Sequence, residues 1–140
     1  ADSGSVFSPA EGEEHMVDKP VSGSRFERRR QTDPAAVAKI HQLLGDSAAF
    51  DFAPYRASCS LVFVDGSHAF ECVMSDSRNA MDLARGGGVV LWHDYGIWEG
   101  VTKALEELER RGRYGLRHIR GTSLVYWKNA PAPSTAPRPG

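Results

Sequence analysis

A strand, a helix and a second strand are predicted within residues 60–94, which read SLVFVDGSHAFECVMSDSRNAMDLARGGGVVLWHD. The runs at 60–64 and 89–92 are mostly apolar and rich in strand-forming side chains, a pattern typical of strands buried on both faces of a parallel sheet. Gly86-Gly87-Gly88 is expected to end the intervening helix. The apolar stripe of that helix consists of Phe70, Val73, Met74, Ala80, Met81 and Ala84. An amphipathic crossover between two such runs predicts that the strands are parallel neighbours.

The flanking sequence continues the alternation of helices and strands. The capping pair Asp33-Pro34 predicts the start of an earlier helix, and Gly45 is expected to end it. The apolar stripe of this helix consists of Val37, Ile40, Leu43 and Leu44. A later helix is predicted at 99–111, followed by an antiparallel hairpin with strands at 114–119 and 123–127. The pattern predicts an α/β fold with a mostly parallel sheet and a C-terminal antiparallel hairpin.

Composition sets the domain organisation and excludes several classes of function. We expect an irregular N-terminal segment at 1–32, one α/β domain at 33–128 and a disordered, proline-rich tail at 129–140. The net charge of −1 gives no indication of nucleic-acid or membrane-surface binding. No apolar run approaches the ~20 residues that span a bilayer. The two cysteines, Cys59 and Cys72, are too few and too far apart for a zinc site or a disulfide framework, which favours a reducing cytoplasm.

Acidic and imidazole side chains follow both predicted buried strands. Asp65 comes directly after the first strand, and His93 and Asp94 follow the second. Ligands bind at the carboxyl ends of strands in open parallel sheets, so these side chains are candidates for a divalent-metal site. His68 lies three residues beyond Asp65, where a general base could sit. The alternative is structural: Asp65 can belong to a turn or cap the next helix, and Asp94 can simply begin a loop.

The order and spacing of several motifs resemble one class I S-adenosylmethionine-dependent methyltransferase family. That family has the pattern DGSH(x)YE … GGxxxxHDY … GV and includes sugar O-methyltransferases and proteins named as cephalosporin hydroxylases. The matching segments are Val64-Asp65-Gly66-Ser67-His68-Ala69-Phe70-Glu71, Gly86-Gly87-Gly88-Val89-Val90-Leu91-Trp92-His93-Asp94-Tyr95 and Gly100-Val101-Thr102-Lys103-Ala104-Leu105. The resemblance covers residues 44–127 and implies the C-terminal part of a Rossmann-like methyltransferase fold.

The resemblance also implies roles for individual residues. Gly45-Asp46-Ser47 is similar to the family segment near the adenine of S-adenosylmethionine, and Asp65 is implied in cofactor binding as well as in metal binding. Asp65 and Asp94 match positions that hold Mg²⁺ in metal-dependent relatives, and His68 matches the base that takes the proton of the acceptor hydroxyl. His93 stands where a relative can have Glu or Asp, and imidazole favours softer ions than Mg²⁺. The implied substrate is a small-molecule acceptor.

The cofactor-binding half of the family pattern is either absent from the N-terminal sequence or badly diverged there. The family opens with a strand and a Gly-x-Gly turn, and a second strand then ends in an acidic residue; no Gly-x-Gly occurs before residue 32. If Ser5-Val6-Phe7 is that second strand, Ser8-Pro9 replaces the acid, and Glu11 is a loose substitute. The predicted fold therefore lacks its first strand or strands, which leaves sheet edges open for a homo-oligomer. A non-catalytic binding or assembly module and a metal-dependent hydrolase remain as alternatives to a transferase.

Overall fold

The computed structural model describes residues 7–13, 24–131 and 133. Its helices are α1 (Glu27–Thr32), α2 (Pro34–Val37), α3 (Phe70–Leu83) and α4 (Glu99–Gly112), with short 3₁₀ turns at Ser24–Phe26 and Ala53–Tyr55. Its strands are β1 (Cys59–Val64), β2 (Ala84–Trp92), β3 (Arg117–His118) and β4 (Val125–Lys128). Among the described residues, no helix has both the length and the apolar character that a membrane crossing requires.

The four strands form one mixed sheet in the order β1-β2-β4-β3. β1 and β2 are parallel, with Val62 paired to Val90 and Val64 to Trp92. β4 runs antiparallel to β2 on one side and to β3 on the other. The predicted α/β class, the parallel pair and the antiparallel hairpin are confirmed. β1 is an edge of this sheet in the described part of the chain, which agrees with the predicted loss of the first strands.

One face of the sheet is covered by α3 and α4. Val90, Trp92 and Val125 point to this face and are 0–3% exposed, within the hydrophobic core to which both helices contribute. Side chains alternate along a strand, so their neighbours point the other way. On that second face Leu61 is 60% exposed and Phe63 is 51% exposed. The core of the described chain is therefore a single layer of helices on a sheet whose second face is open.

The glycine run was expected to break the crossover helix, but it lies inside β2. α3 ends at Leu83, and Ala84 already has extended backbone angles. A Cβ atom on Gly88 would lie 2.8 Å from the carbonyl oxygen of Cys59, and Gly87 has φ of +79°. Glycine is needed here because β1 and β2 approach closely where their register shifts, between Cys59 and Leu61.

The predicted helix at 33–44 is mostly wrong. Its start is confirmed, because the Asp33 carboxylate accepts a hydrogen bond from the Ala36 N–H at 3.1 Å, but α2 ends at Val37. The remaining stripe is not buried: Ile40 is 44% exposed and Leu43 is 50% exposed. A short helix without tertiary burial is marginal in water, so the amphipathic pattern alone does not maintain it.

The hairpin strands are shorter than the predicted ranges. β3 spans only Arg117–His118 because the preceding backbone N–H groups of Gly115 and Leu116 donate to the Glu109 carboxylate, at 3.0 and 2.9 Å, instead of to a strand. At the other end, Asn129 still bonds to β2: its N–H donates to the Gly88 carbonyl at 2.8 Å. The predicted strand at residues 5–7, apart from Phe7, and the predicted tail at 132 and 134–140 lie outside the described residues.

We expect Ser77→Ala to destabilise the protein by about 1–3 kcal/mol. The Trp92 indole N–H donates to the Ser77 hydroxyl at 2.9 Å, and both side chains are at most 1% exposed, so the substitution leaves a buried donor without a partner. Denaturant unfolding of Ser77→Ala measures the loss, with Ser75→Ala on the same helix as the control. In a double-mutant cycle, Ser77→Ala should lower the free energy of unfolding less in the Trp92→Phe background than in the wild type, because phenylalanine has no N–H to leave without a partner. Equal stability of Ser77→Ala and Ser75→Ala would contradict this account.

Candidate active site

The parallel pairing brings the ends of β1 and β2 to the same edge of the sheet. Val64 pairs with Trp92, and the backbone N–H of His93 donates to the Val64 carbonyl at 3.1 Å. Asp65 and His93 are the next residues along the two strands, so they leave the sheet side by side. The sequence prediction that Asp65, His68, His93 and Asp94 gather at one edge agrees with this arrangement.

Three of these residues form a cluster with the composition of a metal site. His93 Nδ1 lies 3.3 Å from Asp65 Oδ1 and 3.1 Å from Asp94 Oδ1. One ligand atom from each of the three residues can be chosen so that all lie within 4.8 Å of one another. Two ligands of one ion at 2.0–2.6 Å are separated by at most about 5 Å, so the cluster has the dimensions for a shared ion. The side chains of Asp65 and His93 are about half exposed, whereas that of Asp94 is 15% exposed.

The backbone of Asp94 holds an unusual conformation. Its φ is +68°, in the left-handed region that costs a non-glycine residue roughly 1 kcal/mol, although Asp tolerates it better than most. The Asp94 carbonyl accepts hydrogen bonds from the N–H groups of Ile97 and Trp98, so the following turn maintains this geometry. The turn places one carboxylate oxygen near His93 and the other near His68. Backbone strain at such a position is typical of functional sites.

His68 lies inside the protein, not at the open mouth of the edge. It is 8% exposed, and its Nε2 lies 2.8 Å from Asp94 Oδ2. The Trp98 ring stacks on the imidazole with centroids 4.3 Å apart and planes 7° apart. A Cβ atom on Gly100 would lie 2.2 Å from the His68 carbonyl oxygen, so α4 can approach this loop only because residue 100 is glycine.

A carboxylate from the N-terminal segment lies on the other side of His68. The backbone N–H of His68 donates to Glu13 Oε1 at 2.7 Å, and Glu13 Oε2 accepts from the Ser67 hydroxyl at 3.0 Å and the Ala10 N–H at 2.6 Å. Glu13 is only 5% exposed. Burial raises the pKa of Glu13, but the hydrogen bonds from the backbone of Ala10 and His68 and from Ser67 outweigh it, so that the pKa is lowered overall. The carboxyl group is therefore held ionised.

Glu13 and Trp98 are the residues that sequence reasoning missed. Glu13 lies 55 positions from His68 in a segment without periodicity, where only Glu11 drew attention, and Glu11 is exposed. Gly12, with φ of +92°, lets the chain pass the Trp98 ring, which is 3.8 Å from the place of a Cβ atom. An acidic residue beside a glycine is the sole local signal, and it is too common to identify a buried contact.

The base role predicted for His68 remains a prediction, with one geometric condition. Within the described residues, Nδ1 of His68 has no hydrogen bond of adequate geometry, although Glu13 Oε1 lies 2.7 Å away. Nε2 faces Asp94. Proton uptake from a substrate at Nε2 therefore requires Asp94 to move off this nitrogen and the ring to carry its hydrogen on Nδ1, beside Glu13.

The segment predicted to bind the cofactor lies beside α3. The Asp46 carboxylate accepts from the Ala48 N–H at 3.0 Å, so it closes its own turn, and the Ser47 carbonyl accepts from Asn79 at 3.4 Å. The Asp76 carboxylate lies beside Ser47 and 3.3 Å from where a Cβ atom on Gly66 would be. The segment Gly45-Asp46-Ser47 therefore lies beside α3, and Asp76 of this helix connects it to Gly66 at the carboxyl end of β1.

Asp76, on α3 beside this segment, has a pKa above the usual value of an aspartic acid. Burial raises the pKa; the hydrogen bond from Ser47 opposes the shift, and the nearby charge of Asp46 adds to it. A partly buried acid of this kind next to a strand end is typical of a ligand-binding position.

Comparisons with known proteins agree with the fold. A family model described as a methyltransferase domain matches residues 7–95, which include Glu13, Asp65, His68 and Asp94. The solved structure of the O-methyltransferase NovP superposes with a TM-score of 0.54 at 16% identity, covering 81% of this chain. This chain spans 54% of the NovP chain, and at that identity the likeness shows the fold. No curated protein sequence matches significantly.

Proposed function

The chain belongs to the methyltransferase-domain family whose model matches residues 7–95, and on this premise we propose that it transfers a methyl group from S-adenosylmethionine to a hydroxyl of a small molecule. The observation that carries the proposal is the gathering of Asp65, His93 and Asp94, with His68 behind them, at the carboxyl edge of the parallel pair. This edge is where α/β sheets bind their ligands.

The reaction needs a positioned oxygen and a place for its proton. The acceptor oxygen attacks the methyl carbon, the carbon–sulfur bond breaks, and the sulfur retains the electron pair of that bond in S-adenosylhomocysteine. The acceptor's proton passes to His68 Nε2 in the tautomer that carries its hydrogen on Nδ1, beside Glu13 Oε1, once Asp94 Oδ2 has moved off Nε2. The rate depends mainly on holding the oxygen in line with the methyl carbon, so the rigid strand ends suit this chemistry.

The three-residue cluster fits a divalent ion as part of the proposal. Two carboxylate oxygens and one imidazole nitrogen lie at distances that one ion can span, and a mixed oxygen and nitrogen donor set suits Mn²⁺ or Zn²⁺ better than Mg²⁺. Such an ion lowers the pKa of a bound hydroxyl. Asp65, His93 and Asp94 would hold it.

The proposed donor site comprises Gly45, Asp46 and Ser47, with Asp65 at the strand end. The Asp76 carboxylate, in contact with Ser47 and close to Gly66, connects the two parts of this site. We further propose that the open edge of β1 pairs with another copy of the chain, since an unpaired strand edge favours such association.

A second function, a non-catalytic binding or assembly module, is favoured by one observation. The second face of the sheet carries the exposed apolar side chains of Leu61 and Phe63, which are typical of an association surface. Such a module would retain the edge residues without binding a methyl donor. Donor binding separates the two functions.

Calorimetric titration with S-adenosylmethionine and S-adenosylhomocysteine tests the donor site. We expect both to bind, and Asp46→Ala to raise their Kd by roughly tenfold, the effect of about one lost hydrogen bond. Asp51→Ala is the matched control, because Asp51 also accepts from the N–H two residues on, the Ala53 N–H at 3.0 Å, in the same loop. Absence of binding by either nucleoside would favour the non-catalytic module, and equal affinities of the two variants would remove Asp46 from the site.

Mn²⁺ binding, followed by electron paramagnetic resonance, tests the metal cluster. We expect one ion per chain and a Kd at least about 10-fold higher in Asp65→Asn, because even outer partners of metal ligands are worth about 10–100-fold. Asp82→Asn is the control, since the Asp82 side chain is 68% exposed and lies on α3 away from the edge. If wild type and Asp65→Asn bind Mn²⁺ alike, the edge is not a metal site.

Removal of His68 tests the base. We expect His68→Ala to lower the methyl-transfer rate by a factor on the order of 10²–10⁴ while the Kd of S-adenosylmethionine stays unchanged. His41→Ala provides the control because His41 is exposed. Single-turnover rates measure the chemical step, and a His68→Ala rate equal to that of His41→Ala would rule out His68 as the base.

A further inference from the structure

We propose that Glu13 is a positioning residue of the edge: it fixes His68, and through His68 it fixes the carboxylate of Asp94. No motif of the sequence pointed to Glu13, and the proposed reaction does not use it directly. The contacts form a line through three buried or nearly buried side chains, Glu13, His68 and Asp94.

Glu13 is held in place by hydrogen bonds to both oxygens of its carboxylate. Both carboxylate oxygens accept hydrogen bonds, Oε1 from the His68 N–H and Oε2 from Ser67 and Ala10. The Glu13 N–H also donates to the Ala10 carbonyl at 3.0 Å, which closes a turn around Gly12. A buried carboxylate with this many donors has one orientation, so it can act as a fixed reference for its neighbours.

The ring of His68 is held by three contacts from different parts of the chain. Glu13 lies beside Nδ1, Trp98 stacks against one face of the ring, and Asp94 lies at Nε2. Nδ1 is buried and has no well-formed hydrogen bond within the described chain, and Glu13 Oε1, 2.7 Å away, is placed to accept from a hydrogen on this nitrogen. Removal of that acceptor leaves the ring free to turn away from Asp94.

The two oxygens of the Asp94 carboxylate face different partners. Oδ2 faces His68 at 2.8 Å, and Oδ1 faces His93 at 3.1 Å and the Asp65 side of the cluster. A ligand carboxylate whose second oxygen is hydrogen-bonded presents the first in a fixed direction, and such outer contacts tune metal affinity. Glu13 therefore acts on the ion site without touching it; this part of the inference rests on the proposed function.

The test compares Glu13→Gln with Glu11→Gln. Both remove one negative charge from the same turn, but Glu11 is exposed whereas Glu13 is buried. Gln has nearly the shape of Glu, yet its amide nitrogen cannot accept the hydrogen bonds that the second oxygen receives. We expect Glu13→Gln to raise the Kd of Mn²⁺ about 10-fold or more and Glu11→Gln to leave it unchanged.

A measurement on the metal-free protein keeps this inference separate from the proposed function. Nitrogen-15 NMR of the His68 ring reports its hydrogen bond to Asp94, and we expect Glu13→Gln to speed exchange of the ring N–H by about tenfold or more. If wild type binds no Mn²⁺ but the His68 signals respond to Glu13→Gln, the metal proposal fails and the positioning role stands. If the His68 signals are the same in Glu13→Gln and Glu11→Gln, the positioning role is wrong, whatever Mn²⁺ does.

Thermal unfolding monitored by circular dichroism shows whether each variant is folded. Should Glu13→Gln fail to fold, Glu13→Asp carries the same test, because its shorter side chain keeps the charge but cannot reach both Ala10 and His68. We then expect the same direction of change in Mn²⁺ affinity and in ring exchange. A folded Glu13→Asp with wild-type values of both quantities would overturn the proposal.

Discussion

The register of β1 against β2 determines where the three residues of the metal-type cluster, Asp65, His93 and Asp94, lie. Val64 opposite Trp92 brings Asp65 and His93 to neighbouring places at the end of the sheet. A slip by one residue would turn each side chain to the other face of the sheet. Trp92 prevents that slip because its indole is buried and bonded to Ser77 in the crossover helix. The strand pairing and the helix that covers it therefore fix one another, and the edge follows from both.

Much of this arrangement was predictable because its signals are local. The strand at 60–64, α3 and α4 each bury a stripe that can be read from a few consecutive residues. Predictions failed where a distant or competing contact decides the outcome. The apolar stripe that includes Leu43 is not covered by any other element of the described chain. The Glu109 carboxylate accepts hydrogen bonds from the N–H groups that would otherwise have extended β3. A pattern shows what a segment can bury, but it does not show what covers that segment.

The candidate site divides in the same way. Asp65, His93 and Asp94 could be grouped from the sequence because they follow two predicted parallel strands, and parallel strands end at one edge, although the face of β1 that bears Leu61 and Phe63 is exposed and not buried as predicted. Glu13 could not, because no periodicity links a turn near the N-terminus to His68. His68 itself was correctly placed at the edge, but its burial beneath Trp98 depends on the close approach that Gly100 permits. Side-chain access is a property of packing between elements, so spacing does not reveal it.

The two halves of the proposed chemistry have different structural support within this chain. The metal-type cluster and its outer contacts, from Glu13 to Asp94, are completed by residues that the chain itself provides. The donor segment around Asp46 contacts α3 through Asn79, and the opposite face of the sheet, which bears Leu61 and Phe63, is exposed in the described chain. Exposed apolar surface of this kind is typical of association sites. The residues proposed to hold the ion are therefore all supplied by this chain, and the proposed donor segment lies beside them on the α3 side.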